Sequence, residues 1–187
     1  MKNTDIEIRA ASLTSQDKKL TGYVVKWNSR SQVLWDEFVE QFSPNAFQNS
    51  LSGGADVRAL YEHDYTALLG RTTSGTLTLA EDATGLRFEL TPPDTQLGRD
   101  VLTLVDRGDI TGMSFGFRAL KDQWDSTQMP YVRTVMDAEL REITVTSIPA
   151  YPESGVEVAK RSLFIQYPEL SGQNNEMRRR WLQLAEV

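Results

Sequence analysis

The chain has 187 residues, 40% of them hydrophobic, enough for one sizeable core and too little for two ordinary domains. A formal net charge of -6, with 25% charged residues, offers no electrostatic grip on phosphate backbones, so nucleic acid is not expected as a ligand. With no cysteine and one histidine, His63, the chain cannot use thiol nucleophiles, disulfides, thiolate sites or multi-histidine zinc centres, and neither a metal nor another cofactor is expected.

The N-terminal MKNTDIEIRAASL lacks the apolar core of a signal peptide, and no stretch approaches the ~20 apolar residues of a membrane span. A cytoplasmic protein without membrane contact is expected. Short β-branched segments at Ile6 to Leu13 and Gly22 to Trp27 predict an opening hairpin around a polar turn, Thr14 to Lys19. Ser43-Pro44 can cap and start a short helix that runs through Leu51 and stops at Gly53-Gly54. Val57 to Glu62 reads as a buried strand, with His63 where the chain leaves the sheet. Segments Gly75 to Ala80 and Gly85 to Thr91 flank the turn EDATG and predict a second hairpin.

Thr95 can cap a helix from Gln96 to Asp106, with Leu97, Val101, Leu104 and Val105 as its apolar stripe and Gly108 past its end. Two further strands, Gly112 to Ala119 and Val132 to Thr146, are separated by the polar stretch Lys121 to Pro130. Together these elements predict an α+β, β-rich fold, a barrel or sandwich with a few helices packed outside. Residues 1–160 form the expected catalytic domain and 161–187 a tail, polar at SGQNNE and basic at MRRRW.

Gly112-Met113-Ser114-Phe115-Gly116 matches G-x-S-x-G literally, but an elbow serine needs a helix after it and the histidine last in chain order. Neither holds here, so an α/β-hydrolase esterase is set aside. Strand alternation instead turns Met113, Phe115 and Phe117 to the core and Ser114 to the opposite, outer face. The same alternation sends Ile143 and Val145 inward and Glu142, Thr144 and Thr146 outward, and it assigns Glu139 to the inward set. A serine hydroxyl becomes a competent nucleophile when a base takes its proton, and His63 is the sole candidate base. Glu62 and Asp64 flank it in sequence, and neighbours on an extended chain point to opposite faces, so parity favours Glu142 as the carboxylate that orients the imidazole.

Six segments, GYVVKWNSRS, EFVEQFSPNAF, ALYEHDYTALLGRT, GTLTLAEDATGLRFEL, GDITGMSFGF and LREITVTSIPAYP, taken in order resemble the prohead maturation proteases of tailed phages, distantly similar to herpesvirus assemblins. The resemblance implies an assemblin-like β-barrel surrounded by a few helices. It implies serine endopeptidase activity on major capsid protein and scaffold, inside the assembling prohead in the host bacterial cytoplasm. Ser114 fits the family's nucleophile and His63 its histidine, while Glu142 fits the acidic position that replaces the assemblins' second histidine. Where the family commonly has Ser, this chain has Thr144, which keeps a hydroxyl. Assemblins act as dimers, so a homo-oligomer is admitted, and the tail is a candidate for docking or self-removal. The competing expectation is a structural capsid or scaffold component with the same fold and no proteolysis.

Overall fold

The computed structural model describes residues 7–16, 18–34, 37–147, 162–163 and 165–168. Its strands are β1 (Glu7–Gln16), β2 (Lys19–Lys26), β3 (Phe38–Phe42), β4 (Arg58–Tyr61), β5 (Asp64–Arg71), β6 (Leu77–Glu81), β7 (Gly85–Leu90), β8 (Gly112–Asp125) and β9 (Tyr131–Thr146). All nine join one sheet in the order β5-β4-β9-β8-β1-β2-β7-β6, with β3 also on β9. Helices α1 (Gln48–Ser52) and α2 (Gln96–Arg107) complete the α+β, β-rich fold anticipated from the sequence. The edge strands β5 and β6 are joined by the 3-10 turn Thr72–Ser74, and Leu69 of one and Leu77 of the other enter the same core cluster, so the sheet wraps a single interior.

Strand β9 organises the molecule. Along one edge it pairs antiparallel with β8. Along the other, its first half pairs parallel with β3 and its second half parallel with β4. Between those pairings its backbone is satisfied by the connecting segment: Ala138 N–H donates to the Ala46 carbonyl at 2.7 Å and Leu140 N–H to Ser50 Oγ at 3.2 Å.

Helix α2 follows its sequence signals. Thr95 Oγ1 accepts from Gly98 N–H at 3.3 Å, Gly108 takes φ 80° at the C-terminal end, and the stripe packs on the core through buried Val101. The turn EDATG closes as expected, with Asp82 Oδ1 accepting from Thr84 N–H at 2.7 Å and Gly85 N–H at 3.0 Å.

Other segments depart from expectation. The first hairpin is longer than predicted, since most of Thr14 to Lys19 is strand and Gln16 pairs with Lys19. Ser43 caps nothing: Asn45 has φ 65°, which breaks helical geometry, and α1 starts only at Gln48. Strand β8 runs on through Lys121 to Asp125, because its long pairing with β9 stabilises a polar segment that local propensity leaves undecided. β5 itself carried no clear alternation, and its first residues are exposed. Of the anticipated tail, Ser162, Leu163, Gln166 and Tyr167 pack against Trp124 and Asp122; the SGQNNE and MRRRW segments and the prolines Pro149 and Pro152 lie outside the described residues.

Candidate active site

Ser114 is held in place by its neighbours. Phe115 and Phe117 enter the core, where Phe42 meets them edge-on with ring centroids 5.8 and 5.1 Å away, and Met113 is fully buried beside them. A slip of one residue would drive Ser114 into this aromatic cluster and turn the rings out, so core packing fixes which residue the strand presents on its other face. On that face Ser114 lies directly opposite Thr144, and Gly116 opposite Glu142. Gly116 puts no side chain beside the carboxylate.

The face is not solvent-exposed as alternation alone suggests. Ser114 and Thr144 are 0% exposed, Glu142 3% and Thr146 1%. A β-bulge also changes the parity reading. The β8–β9 register shifts between Gly116/Phe117, with Gly116 opposite Glu142 and Phe117 opposite Leu140, so Arg141 is the extra residue. Leu140 and Ile143 therefore both reach the core, and Glu139 joins Glu142 on the outer face rather than pointing inward. Parity does not separate the two acids; position does. Glu139 is half-buried and pairs with Arg141 at 2.8 Å, whereas Glu142 sits deep in the sheet, two residues from the partner of Ser114.

His63 arrives from the other side of β9. Strand β4 runs parallel to β9, pairing Arg58 with Glu142 and Tyr61 with Val145. It then reverses into β5 through a two-residue turn, with Tyr61 opposite Asp64 and both central residues left-handed, Glu62 at φ 49° and His63 at φ 56°. This is the hairpin geometry that Asn-Gly usually supplies, and non-glycine residues there cost about 1–2 kcal/mol each. The missing Asn-Gly is why sequence reading ended the element at His63. The strain is held by Glu62, which accepts from Thr146 Oγ1 at 2.7 Å and from the N–H and Oγ of Ser147 at 2.9 Å each, while its own N–H donates to the Val145 carbonyl at 3.0 Å.

The turn brings His63 Nδ1 to 3.1 Å from Glu142 Oε1. The imidazole is 29% exposed, so it is accessible from outside, yet its Nε2 is buried and has no hydrogen-bond partner. An ionised carboxylate can only accept, so it selects the Nδ1–H tautomer and leaves the lone pair on Nε2. Glu142 Oε2 accepts a hydrogen bond from the Thr144 hydroxyl. Neither acid flanking His63 competes for the ring: Glu62 is engaged with Thr146 and Ser147, and Asp64 accepts from Thr66 N–H at 2.7 Å and Thr66 Oγ1 at 2.6 Å.

Partial burial acts to raise the Glu62 pKa, but the hydrogen bonds from Ser147 and Thr146 outweigh it and hold the carboxyl below its usual range. A folded-state pKa below the unfolded one contributes stability that is present above the unfolded value and lost as pH falls through the folded one. Glu62→Gln is therefore expected to destabilise the protein by about 1 kcal/mol at pH 7, a value kept small because the carboxylate is exposed. The gap to wild type should close as pH drops below about 4, near the ordinary glutamate value. Thermal denaturation of both proteins from pH 7 to pH 3 checks this; a gap that stays constant would show that Glu62 acts without its charge.

Among the described residues no cluster of three or more His, Asp or Glu could hold a metal ion, and no helix is long and apolar enough to cross a membrane. No curated protein and no solved structure matches the chain. The family model described as caudovirus prohead serine protease does match, over residues 4–165, a span that includes Ser114, His63 and Glu142. The chain belongs to that family, the serine proteases of phage capsid maturation that act on capsid and scaffold proteins within the assembling procapsid.

Proposed function

We propose that hydrolysis is carried out by Ser114, His63 and Glu142. The observation that carries this reading is the 3.1 Å contact between His63 Nδ1 and Glu142 Oε1 on the face that also carries Ser114. Nε2 of His63 takes the Ser114 proton as Oγ attacks a peptide carbonyl. Glu142 steadies the imidazolium that forms, and the imidazolium then protonates the leaving amine. Water, activated by the same nitrogen, releases the acyl group and restores the serine. The substrates are the major capsid protein and scaffold in the host cytoplasm, and the chain also removes part of its own tail, residues 161–187.

Coexpression with the cognate capsid protein tests the assignment. Wild type is expected to process it and Ser114→Ala and His63→Asn to leave it intact, whereas unchanged processing by either variant would defeat the triad and leave a structural capsid role as the better reading. Intact-mass measurement of wild type and Ser114→Ala tests self-processing. A shortened chain is expected in the first alone, and identical full-length masses would end that idea.

A further inference from the structure

The two oxygens of Glu142 have separate partners: Oε1 faces His63 Nδ1, and Oε2 accepts from Thr144 Oγ1. The terminal torsion of a glutamate is broad, so the plane of its carboxylate is set by what it bonds to rather than by a rotamer well. Thr144 is suited to setting it. Its side chain is β-branched and stiff at χ1, it is 0% exposed so that water does not compete for its hydroxyl, and it lies two residues from Glu142 on the same face of β9. On either side of β9 it is flanked by Ser114 of β8 and by fully buried Leu60 of β4.

We propose that Thr144 is a positioning residue of the hydrolytic site, which fixes the Glu142 carboxylate so that Oε1 stays aimed at the imidazole and His63 keeps its base on Nε2. This rests on the Ser114–His63–Glu142 reading. Thr144 touches no substrate; it acts through Glu142. Without the hydroxyl, Oε2 loses its donor and the carboxylate turns away from the geometry that selects the tautomer. Misplacement of this kind slows chemistry by about 10–100-fold.

The test is a double-mutant cycle on a peptide spanning a processing site. Thr144→Val is expected to lower kcat about 10–100-fold with KM unchanged, and Thr144→Ser to recover most of that loss. In a Glu142→Gln background, Thr144→Val is expected to cost no more than about 2-fold further, because the group it orients is already gone. The same penalty in both backgrounds, or a rise in KM with kcat unchanged, would make Thr144 a packing residue and overturn the proposal. Thr144→Ala, carried through the same cycle, serves if the valine variant does not fold. Undiminished cleavage by Ser114→Ala would instead remove the reading beneath the proposal, and that outcome is read independently of any Thr144 variant.

Discussion

On the proposed Ser114–His63–Glu142 mechanism, Ser114→Ala is expected to lower kcat by about 10⁶-fold and Glu142→Gln by about 10⁴-fold, with both proteins folded. The difference in size follows from the roles. Without the hydroxyl no acyl-enzyme forms. In the Glu142→Gln variant the nucleophile and base remain, but the amide can offer its N–H to Nδ1, which favours the wrong tautomer and leaves the imidazolium without a countercharge. His63 requires a chosen substitute, because its φ of 56° penalises alanine on backbone grounds. His63→Asn keeps a residue that tolerates the left-handed region and cannot act as a base, so a fall near 10⁶-fold in that variant isolates the chemistry. Combining Ser114→Ala with His63→Asn is expected to cost little beyond either alone, since the groups work as a unit. Single-turnover hydrolysis of a capsid-derived peptide, with thermal melts as the folding control, measures all four. A Glu142→Gln enzyme within 10-fold of wild type would remove Glu142 from the mechanism.

Arg133→Met is expected to destabilise the fold by about 3–5 kcal/mol. Arg133 is 1% exposed and meets two acids, Glu40 through Nη1 at 2.8 Å and Asp122 through Nε at 2.7 Å. The cluster is extended by Ser162 Oγ, which donates to Asp122 at 2.6 Å and accepts from Trp124 Nε1 at 2.8 Å, and Trp124 packs edge-on against Phe38 at 5.0 Å. Removing the cation leaves Glu40 and Asp122, both shielded from water, without the charge they share, which costs more than the cluster contributed when complete. For a chain of this size the loss corresponds to a fall in Tm of roughly 6–20 °C. Replacing all three charges, as Arg133→Met with Glu40→Gln and Asp122→Asn, is expected to recover most of it. Urea denaturation of the single and triple variants decides; a single variant within 1 kcal/mol of wild type would show that water reaches the cluster. The cluster also bears on the site, because it ties β3, β8 and the segment around Ser162 to the first half of β9, whose second half carries Glu142.

The elements legible in the sequence are those with local causes. Thr95 and Gly108 bound α2, Asp82 and Gly85 close the β6–β7 hairpin, and the alternation Met113, Phe115, Phe117 turns Ser114 to the other face of β8. Elements with non-local causes were not legible. β5 exists because β4 reverses through left-handed Glu62 and His63, which no Asn-Gly announces, and that turn is held by Thr146 and Ser147 of a distant segment. The bulge at Arg141 depends on register with β8, and it places Glu139 on the face that simple parity denies it.

By itself the sequence determined the cast: one histidine, no cysteine, a serine set between glycines, and a short set of acids, arranged in ordered segments that resemble one protease family. The family resemblance already matched Glu142 to the family's acidic position, but its contact with the histidine depends on tertiary structure. His63 and Glu142 are 79 residues apart and come together because β4 pairs parallel to the second half of β9, and Thr144 reaches Glu142 because both stand on one face of that strand. Residue type and local periodicity set what a side chain can do, whereas strand order and register, fixed by burial of the shared core, set what it does it to.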